Sequence, residues 1–479
     1  MYTLPAKLTV HDIAAIADGA RVRVSDSALA TIAEAHRAAD RIAQEQEVYG
    51  RSTGVGANRL TSTATDPRTH GMNLLRSHAV DAGPAHDPAS TRAMLAVRLN
   101  QLLHPGSGIE PGVVEALARL LSSGSLPEVR RFGGIGTADL PALAGTALAL
   151  TGERPVSEQG FEPLPHIAAD SALPFMSSSA LTIGTSALAA ARLDRLVHAT
   201  LAIFALSAFA ARSNRAGYSE HAAEAIGSPT SSQNARTLST LLDDSTWTPM
   251  RIQDPFAYRG FLPSFSVVTV ALDRLRECIE RLTALAQENP RFFPENGSAV
   301  HHGAFLENWL AHELDATAIA LGQYVPHSVG RIRFMNDDAV SGLPRFLAPN
   351  LGGSSGTMII EYVAASAMGE IFSSIAPLST QSAVLSCGVE EDATFATGSV
   401  AKLERSLDAY EVMLACELLV SVRAARMRTD DAKASSRVRE VLEIASKLPS
   451  SVEDRDLRPD LEIAQTLLDD IARVAGFTG

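Results

Sequence analysis

Apolar residues recur at steps of three and four through most of the C-terminal two-thirds of the chain. The clearest run is 398–427. There Val400, Leu403, Leu407, Tyr410, Leu414 and Leu418 form one stripe, and Ser399 stands where a cap belongs. The opposite face also carries Ala and Val, which predicts burial on most sides. The same periodicity predicts helices over 180–211, 266–287, 307–323, 357–374, 436–447 and 460–475. Towards the N-terminus the pattern shortens. Thr9–Ala20, Ser27–Glu45, Ala89–Leu103 and Val113–Leu121 read as helices, separated by polar, Gly-rich loops at Tyr49–Thr61 and Arg131–Leu140. Asp139 takes an N-cap position, with Pro141 in the first turn of a helix running to about Leu150. Ser228–Gln233 (SPTSSQ) reads as the most flexible-looking loop. No alternating pattern competes. The expected fold is all-α: a long central helix bundle over residues 180–479, behind a loop-rich N-terminal domain over residues 1–179.

Composition narrows the partners. The most apolar stretch, Ala180–Ala211, is interrupted by Arg192, Asp194, Arg195 and His198. A membrane span is nearly charge-free for about 20 residues, so this is a buried bundle helix and no membrane is expected. The formal net charge of -13 argues against nucleic acid as a partner. Aromatics are only 5% of the chain, which favours helices packed through small residues. Three scattered cysteines, Cys278, Cys387 and Cys416, form neither a disulfide framework nor a CxxC zinc pair. The N-terminus shows no signal-peptide pattern.

The candidate chemistry is sparse when taken residue by residue. Gly133, Gly134 and Gly136 precede a helix without a preceding strand or a nucleotide-binding pattern, so a tight turn feeding a helix is the reading. That helix would still aim its positive end and free N–H groups at whatever sits in the loop. His301, His302 and His312 lack HExxH spacing, and no metal is expected. Glu390, Glu391 and Asp392 form an acidic run that is either a solvated helix start or a functional carboxylate.

Several segments, in order from about residue 10 to 430, resemble the histidine, phenylalanine and tyrosine ammonia-lyase family with its related aminomutases. Tyr49–Gly56 resembles the YGxxTGFG loop, and Asn73–His78 the NLxxSH segment. Arg98, Asn100 and Gly106–Gly108 match RxNxLxxGxSG. Gly134–Ala144 with Gly152-Glu153 matches the cofactor-bearing segment. Gln253–Arg259 resembles QDPYSxR, Asn289–Glu295 NPLxFPE, and Ser341–Leu347 SGLPxFL. Gly388–Asp392 stands at the NQED segment. The resemblance implies a homotetrameric, cytoplasmic helical enzyme whose active sites draw on several subunits. The acidic, cysteine-poor composition is compatible with it.

The family chemistry rests on three residues, Ala-Ser-Gly, that cyclise into a methylidene-imidazolone electrophile. That group captures the substrate amine while a tyrosine removes the β-proton. Here the triad reads Gly136-Thr137-Ala138, altered at every position. Threonine would give a hindered, methyl-substituted carbon, and alanine puts a Cβ beside the attacking nitrogen. The standard cofactor is therefore not expected, and a threonine-derived analogue is the alternative. Tyr49 stands at the base's position, where burial near a helix N-terminus would lower its pKa. Gln253 is retained, and Arg259 would anchor a carboxylate through two parallel hydrogen bonds. His78 and Glu391 match positions that face the substrate side chain in the histidine branch, and Asn289 falls in a substrate-binding segment. Phe256 replaces a second tyrosine, Ile183 an asparagine, Val389 and Glu390 an Asn-Gln, and Ala393 a histidine.

The reading from sequence is a lyase-family enzyme for an amino acid or amine-bearing carboxylic acid. It performs C–N elimination, or the reverse addition or cyclisation, without the standard electrophile. Tyr49, Gln253 and Glu391 are the catalytic candidates, and His78, Arg259 and Asn289 bind substrate. Tyr49, Arg259 and Glu391 are expected to share one pocket. The alternatives are an ammonia-lyase with a threonine-derived ring, and a catalytically dead paralogue that binds a small molecule or stabilises a partner subunit.

Overall fold

The computed structural model describes residues 1–63, 66–158, 160–350, 352–429 and 432–479. The protein is mostly helical. Among the described residues, strands occur only as three two-stranded sheets. Tyr2–Leu4 pairs in parallel with Val22–Val24, Ala82–Ala85 antiparallel with Arg130–Phe132, and Arg291–Phe293 antiparallel with Ser298–Val300.

Local chemistry explains where many helices start. Thr9 and Asp12 form a capping box on Val10–Ala17. Asp66 and Asp87 accept from Thr69 N and Ser90 N, and each is followed by a proline whose missing N–H is not needed. Ala180–Ala211 has the bounds its hydropathy predicts. The stripe on Ala396–Met427 is buried as expected, with Val400, Leu403, Leu407, Tyr410, Leu414 and Leu418 at 3% exposure or less. Among the described residues one helical stretch, Ala169–Ala211, is long and apolar enough to cross a membrane, and its apolar window is 89% buried, as in a core helix.

Several expectations are corrected. Ser399 does not cap its helix. The helix starts at Ala396, and the Ser399 hydroxyl donates to buried Asp315 at 2.9 Å. Ser228–Gln233 is no loop. Ser228 caps the helix Pro229–Leu241, because small polar residues and proline are what a first turn takes. The helix expected over 266–287 is Phe261–Leu282, since Pro263 fits its first turn. The one expected over 307–323 continues to Asn336 through Pro326. The last breaks at Leu467 into Arg458–Thr466 and Leu468–Val474. Pro67–His78 is a helix that the apolar pattern did not announce.

By contact the chain divides into two compact units that interleave along the sequence. The first comprises Met1–Ala191, Leu275–Asp315 and Pro377–Ala401. The second comprises Arg192–Arg274, Ala316–Ala376 and Lys402–Gly479. Each has a buried ion pair at its centre. In the first, Arg98 meets Glu288 at 2.8 Å, donates to Phe175 O at 2.9 Å and also bonds Pro174 O. In the second, Arg331 meets Glu417 at 2.6 Å, among Phe204, Phe261 and Tyr324. Removing one partner of such a pair strands a buried charge and costs about 3–5 kcal/mol.

Candidate active site

One arginine makes several of the bonds that hold the Tyr49 loop. Arg51 donates to Asp40 at 3.1 Å, Gly108 O at 2.8 Å and Asp170 O at 3.2 Å, with its guanidinium over the Phe292 ring. His36, Asp40 and Asp170 lie close enough to form a metal-like cluster. Asp40 is already paired with Arg51, which makes the cluster an ion-pair network. Beyond Arg51 the loop doubles back through Gly54 N to Thr61 O and Thr63 N to Ser52 O, both at 3.0 Å. Gly50 has φ +75°, and a Cβ there would lie 2.3 Å from Leu173 Cδ2, so glycine is required.

Tyr49 itself is half-buried. Its hydroxyl oxygen accepts the Gly56 N–H at 2.7 Å, and its ring stands edge-on to His301. Its pKa is raised, which corrects the expectation of a lowered one. Burial is the largest cause and Glu390 adds to it, and together they outweigh the Gly56 N–H and Arg59. The acidic group coupled to Tyr49 is thus Glu390. Glu391 is exposed, and its backbone carbonyl accepts from Ser382. His78 ends the helix Pro67–His78, with Nδ1 donating to Leu74 O at 2.8 Å. The Asn289 side chain accepts from His302 N at 2.9 Å, a bond that braces the chain.

The segment 134–139 is a tight, buried turn. Gly136 and Ala138 are left-handed, at φ +84° and +81°. The Gly136 carbonyl accepts from the Thr394 hydroxyl at 3.0 Å and from Glu307 N at 3.3 Å, while Ile135 O accepts from Phe395 N at 2.9 Å. Asp139 sits at the cap position of Leu140–Leu150 but makes no side-chain bond to it. Its carboxylate instead holds the start of Ala180–Ala211, accepting Thr182 N at 2.8 Å and the Thr182 hydroxyl at 3.0 Å. Thr182 in turn bonds Thr397 at 2.9 Å. Burial raises Asp139 to about 6. It raises Glu307 to about 7, with the nearby Asp139 charge adding to the shift and Gln287, bonded at 2.9 Å, opposing it.

Tyr49, His78, Gly136, Thr137, Ala138, Asn289 and Glu391 belong to the first unit. Gln253 and Arg259 belong to the second, where Gln253 is exposed and the Arg259 guanidinium lies over Phe256 at 4.2 Å. Sequence reasoning missed Glu307, Thr394, His301 and Glu390 as neighbours of these groups. Only the last two carried a signal, a histidine pair and an acidic run.

The aromatic amino acid lyase family model matches residues 8–447, and the chain belongs to that family. A histidine ammonia-lyase of Geobacillus thermodenitrificans is 31% identical over 489 residues, covering 96% of each chain. One of Streptomyces coelicolor is 28% identical over 490 residues, covering 96% of this chain and 95% of that one. Among solved structures, a tyrosine aminomutase of Streptomyces globisporus matches with a TM-score of 0.92 at 23% identity, covering 99% of this chain and 98% of that one. The ergothioneine degrading enzyme of Treponema denticola matches at 0.91 and 23%, covering 99% and 100%. At such identity the structural likeness shows the fold. The protein is therefore an ammonia-lyase-like member of a lyase family.

Proposed function

We propose that this chain acts on an amino acid or amine-bearing carboxylic acid without the standard methylidene-imidazolone electrophile. Tyr49 is the proton-handling group and Arg259 the carboxylate anchor. The reaction is C–N elimination, or the reverse addition or cyclisation. The observation that carries the reading is the Tyr49 hydroxyl, held by Gly56 N–H at 2.7 Å on an otherwise tied-down loop. A backbone N–H on that oxygen stabilises a phenolate and fixes its direction. Because burial raises the phenol's pKa, Tyr49 rests protonated near neutrality and its basic form gains population as pH rises.

The triad does not fit the standard group. Position 137 has no serine, and Ala138 carries a Cβ on a left-handed residue beside the nitrogen that would attack. Without an electrophile to capture the amine, the departing nitrogen must already carry its positive charge.

The test is incubation with a panel of amino acids and N-alkylated analogues, followed by ultraviolet absorbance of an unsaturated acid and by release of amine. Turnover lost in Tyr49→Phe and a raised KM in Arg259→Lys support the reading. Turnover indifferent to both substitutions overturns it. A threonine-derived ring is the second reading, favoured by the two donors on the Gly136 carbonyl. Intact mass decides it, since cyclisation removes two waters. A cytoplasmic homotetramer belongs to the same proposal, and light scattering on the purified protein measures the assembly.

A further inference from the structure

We infer that Glu390, with the rings of Tyr49 and His301, forms a subsite for a positively charged nitrogen of the substrate. The inference rests on the proposed role of Tyr49. The residue that joins the parts is Gly56. Its N–H bonds the Tyr49 hydroxyl, and a Cβ built on it would lie 3.2 Å from Glu390 Oε1 and 2.6 Å from Ser386 Oγ. Only a glycine lets the Glu390 segment come this close to the phenol. The approach is fixed by Ser386, whose hydroxyl oxygen accepts Ala57 N–H at 3.0 Å.

The segment presenting Glu390 is itself constrained. Leu385 N donates to Glu390 O at 2.8 Å, closing a turn in which Ser386, Cys387 and Gly388 are all left-handed, at φ +51°, +56° and +86°. Three such residues in succession are unusual outside glycine, and strain of this kind concentrates at sites with a job. The Glu390 carboxylate is exposed and makes no hydrogen bond or ion pair among the described residues. His301 is exposed too, with its ring at 84° to that of Tyr49 and centroids 6.4 Å apart. Its Nε2 accepts the Tyr49 backbone N–H at 3.3 Å. A phenol ring with an unpaired carboxylate close to it, and an imidazole standing edge-on to that ring, supply the parts that hold a cation.

The other charged groups nearby set the balance. Arg59 acts on Tyr49 from the same loop and competes with a bound cation. Asp392 is engaged by the Ser382 hydroxyl at 3.3 Å. A cation against Glu390 screens the charge that opposes phenolate formation, so substrate binding would itself prepare Tyr49 to take a proton.

Tetramethylammonium chloride is the probe, titrated calorimetrically into the full-length protein. Glu390→Gln should weaken its binding about tenfold, while Glu391→Gln changes it by less than about twofold. Both side chains are exposed, so unchanged circular dichroism verifies folding. In an ultraviolet titration Glu390→Gln should also lower the Tyr49 phenol pKa. Equal affinities across wild type and both variants, or a loss on Glu391→Gln alone, overturn the subsite. Tyr49→Phe keeps the ring and should keep the probe. If that variant also keeps turnover, the proposed role of Tyr49 fails while the subsite stands.

Discussion

The turn at 136–138 and the loop that carries Tyr49 are built in opposite ways. The turn is buried and held at many points. The Ile135 and Gly136 carbonyls are bonded to Phe395, Thr394 and Glu307, and the Asp139 carboxylate beside them holds the start of Ala180–Ala211. The loop is tethered through Arg51, its own backbone and single bonds to His301 and Ser386, and leaves a half-buried phenol beside an exposed carboxylate. The lesson is that the turn is where this chain departs from the Ala-Ser-Gly pattern, while the loop keeps its tyrosine. A turn can retain its framing bonds after its side-chain chemistry has changed, because those bonds are made by the backbone and by neighbours.

The largest expected effect falls on the loop and separates activity from stability. Tyr49→Phe should lower kcat by about 10²–10⁴-fold in steady-state assays. It should move Tm little, since the hydroxyl's one bond is to Gly56 N–H. In the wild type, elimination should rise on the alkaline side, because a raised phenol pKa puts the basic form at higher pH. A rate that is flat from neutral to alkaline pH would remove Tyr49 from the proton step.

The turn should show the reverse, stability without a chemical signature. Asp139→Ala strands the buried Thr182 N–H at the start of Ala180–Ala211 and leaves the Thr182 hydroxyl with Thr397 alone. Denaturant unfolding should show a loss of about 2–4 kcal/mol.

A smaller effect follows from pH. Asp139 and Glu307 have folded-state pKa values raised to about 6 and about 7. A raised carboxyl pKa means that the folded protein holds its proton where the unfolded chain has released it. The stabilising contribution is present below the unfolded values and is lost as pH climbs from about 4 to about 7, by up to about 1.4 kcal/mol per group per pH unit. Asp139→Asn with Glu307→Gln should flatten that slope in chemical unfolding. An unchanged slope would mean that other groups set it.

How much of this was legible depends on what each feature is made of. The long helices were, because a stripe such as Val400 to Leu418 repeats at the helix period. Membership of the lyase family was legible too, in ordered segments such as Tyr49–Gly56 and Gly134–Ala144. The helix at Pro229 was not, because Ser, Pro and Thr serve a first turn as well as a loop, and only the tertiary chain decides. Glu307 and Thr394 were invisible for another reason. They reach the Gly136 carbonyl across 171 and 258 residues of sequence, one of them through a backbone N–H that carries no residue identity. The choice between Glu390 and Glu391 turned on a left-handed stretch at 386–388 that composition does not encode.

The smallest effect is the sharpest test of the turn, because it predicts opposite signs two residues apart. Gly136 and Ala138 share nearly the same φ. At 136 a Cβ would sit 1.9 Å from the Thr394 hydroxyl and 2.9 Å from Phe395 N, so Gly136→Ala adds a clash to a backbone penalty. At 138 the Cβ is already present and buried, and the chain carries its left-handed cost. Ala138→Gly should relieve that cost and stabilise the fold by about 1 kcal/mol, whereas Gly136→Ala should destabilise it by more than that. Thermal or denaturant unfolding of the two variants reads both signs directly. If Ala138→Gly is neutral or destabilising, packing of that methyl outweighs the backbone term. The alanine would then be a fitted part of the turn, and its Cβ could not be counted as strain against ring closure.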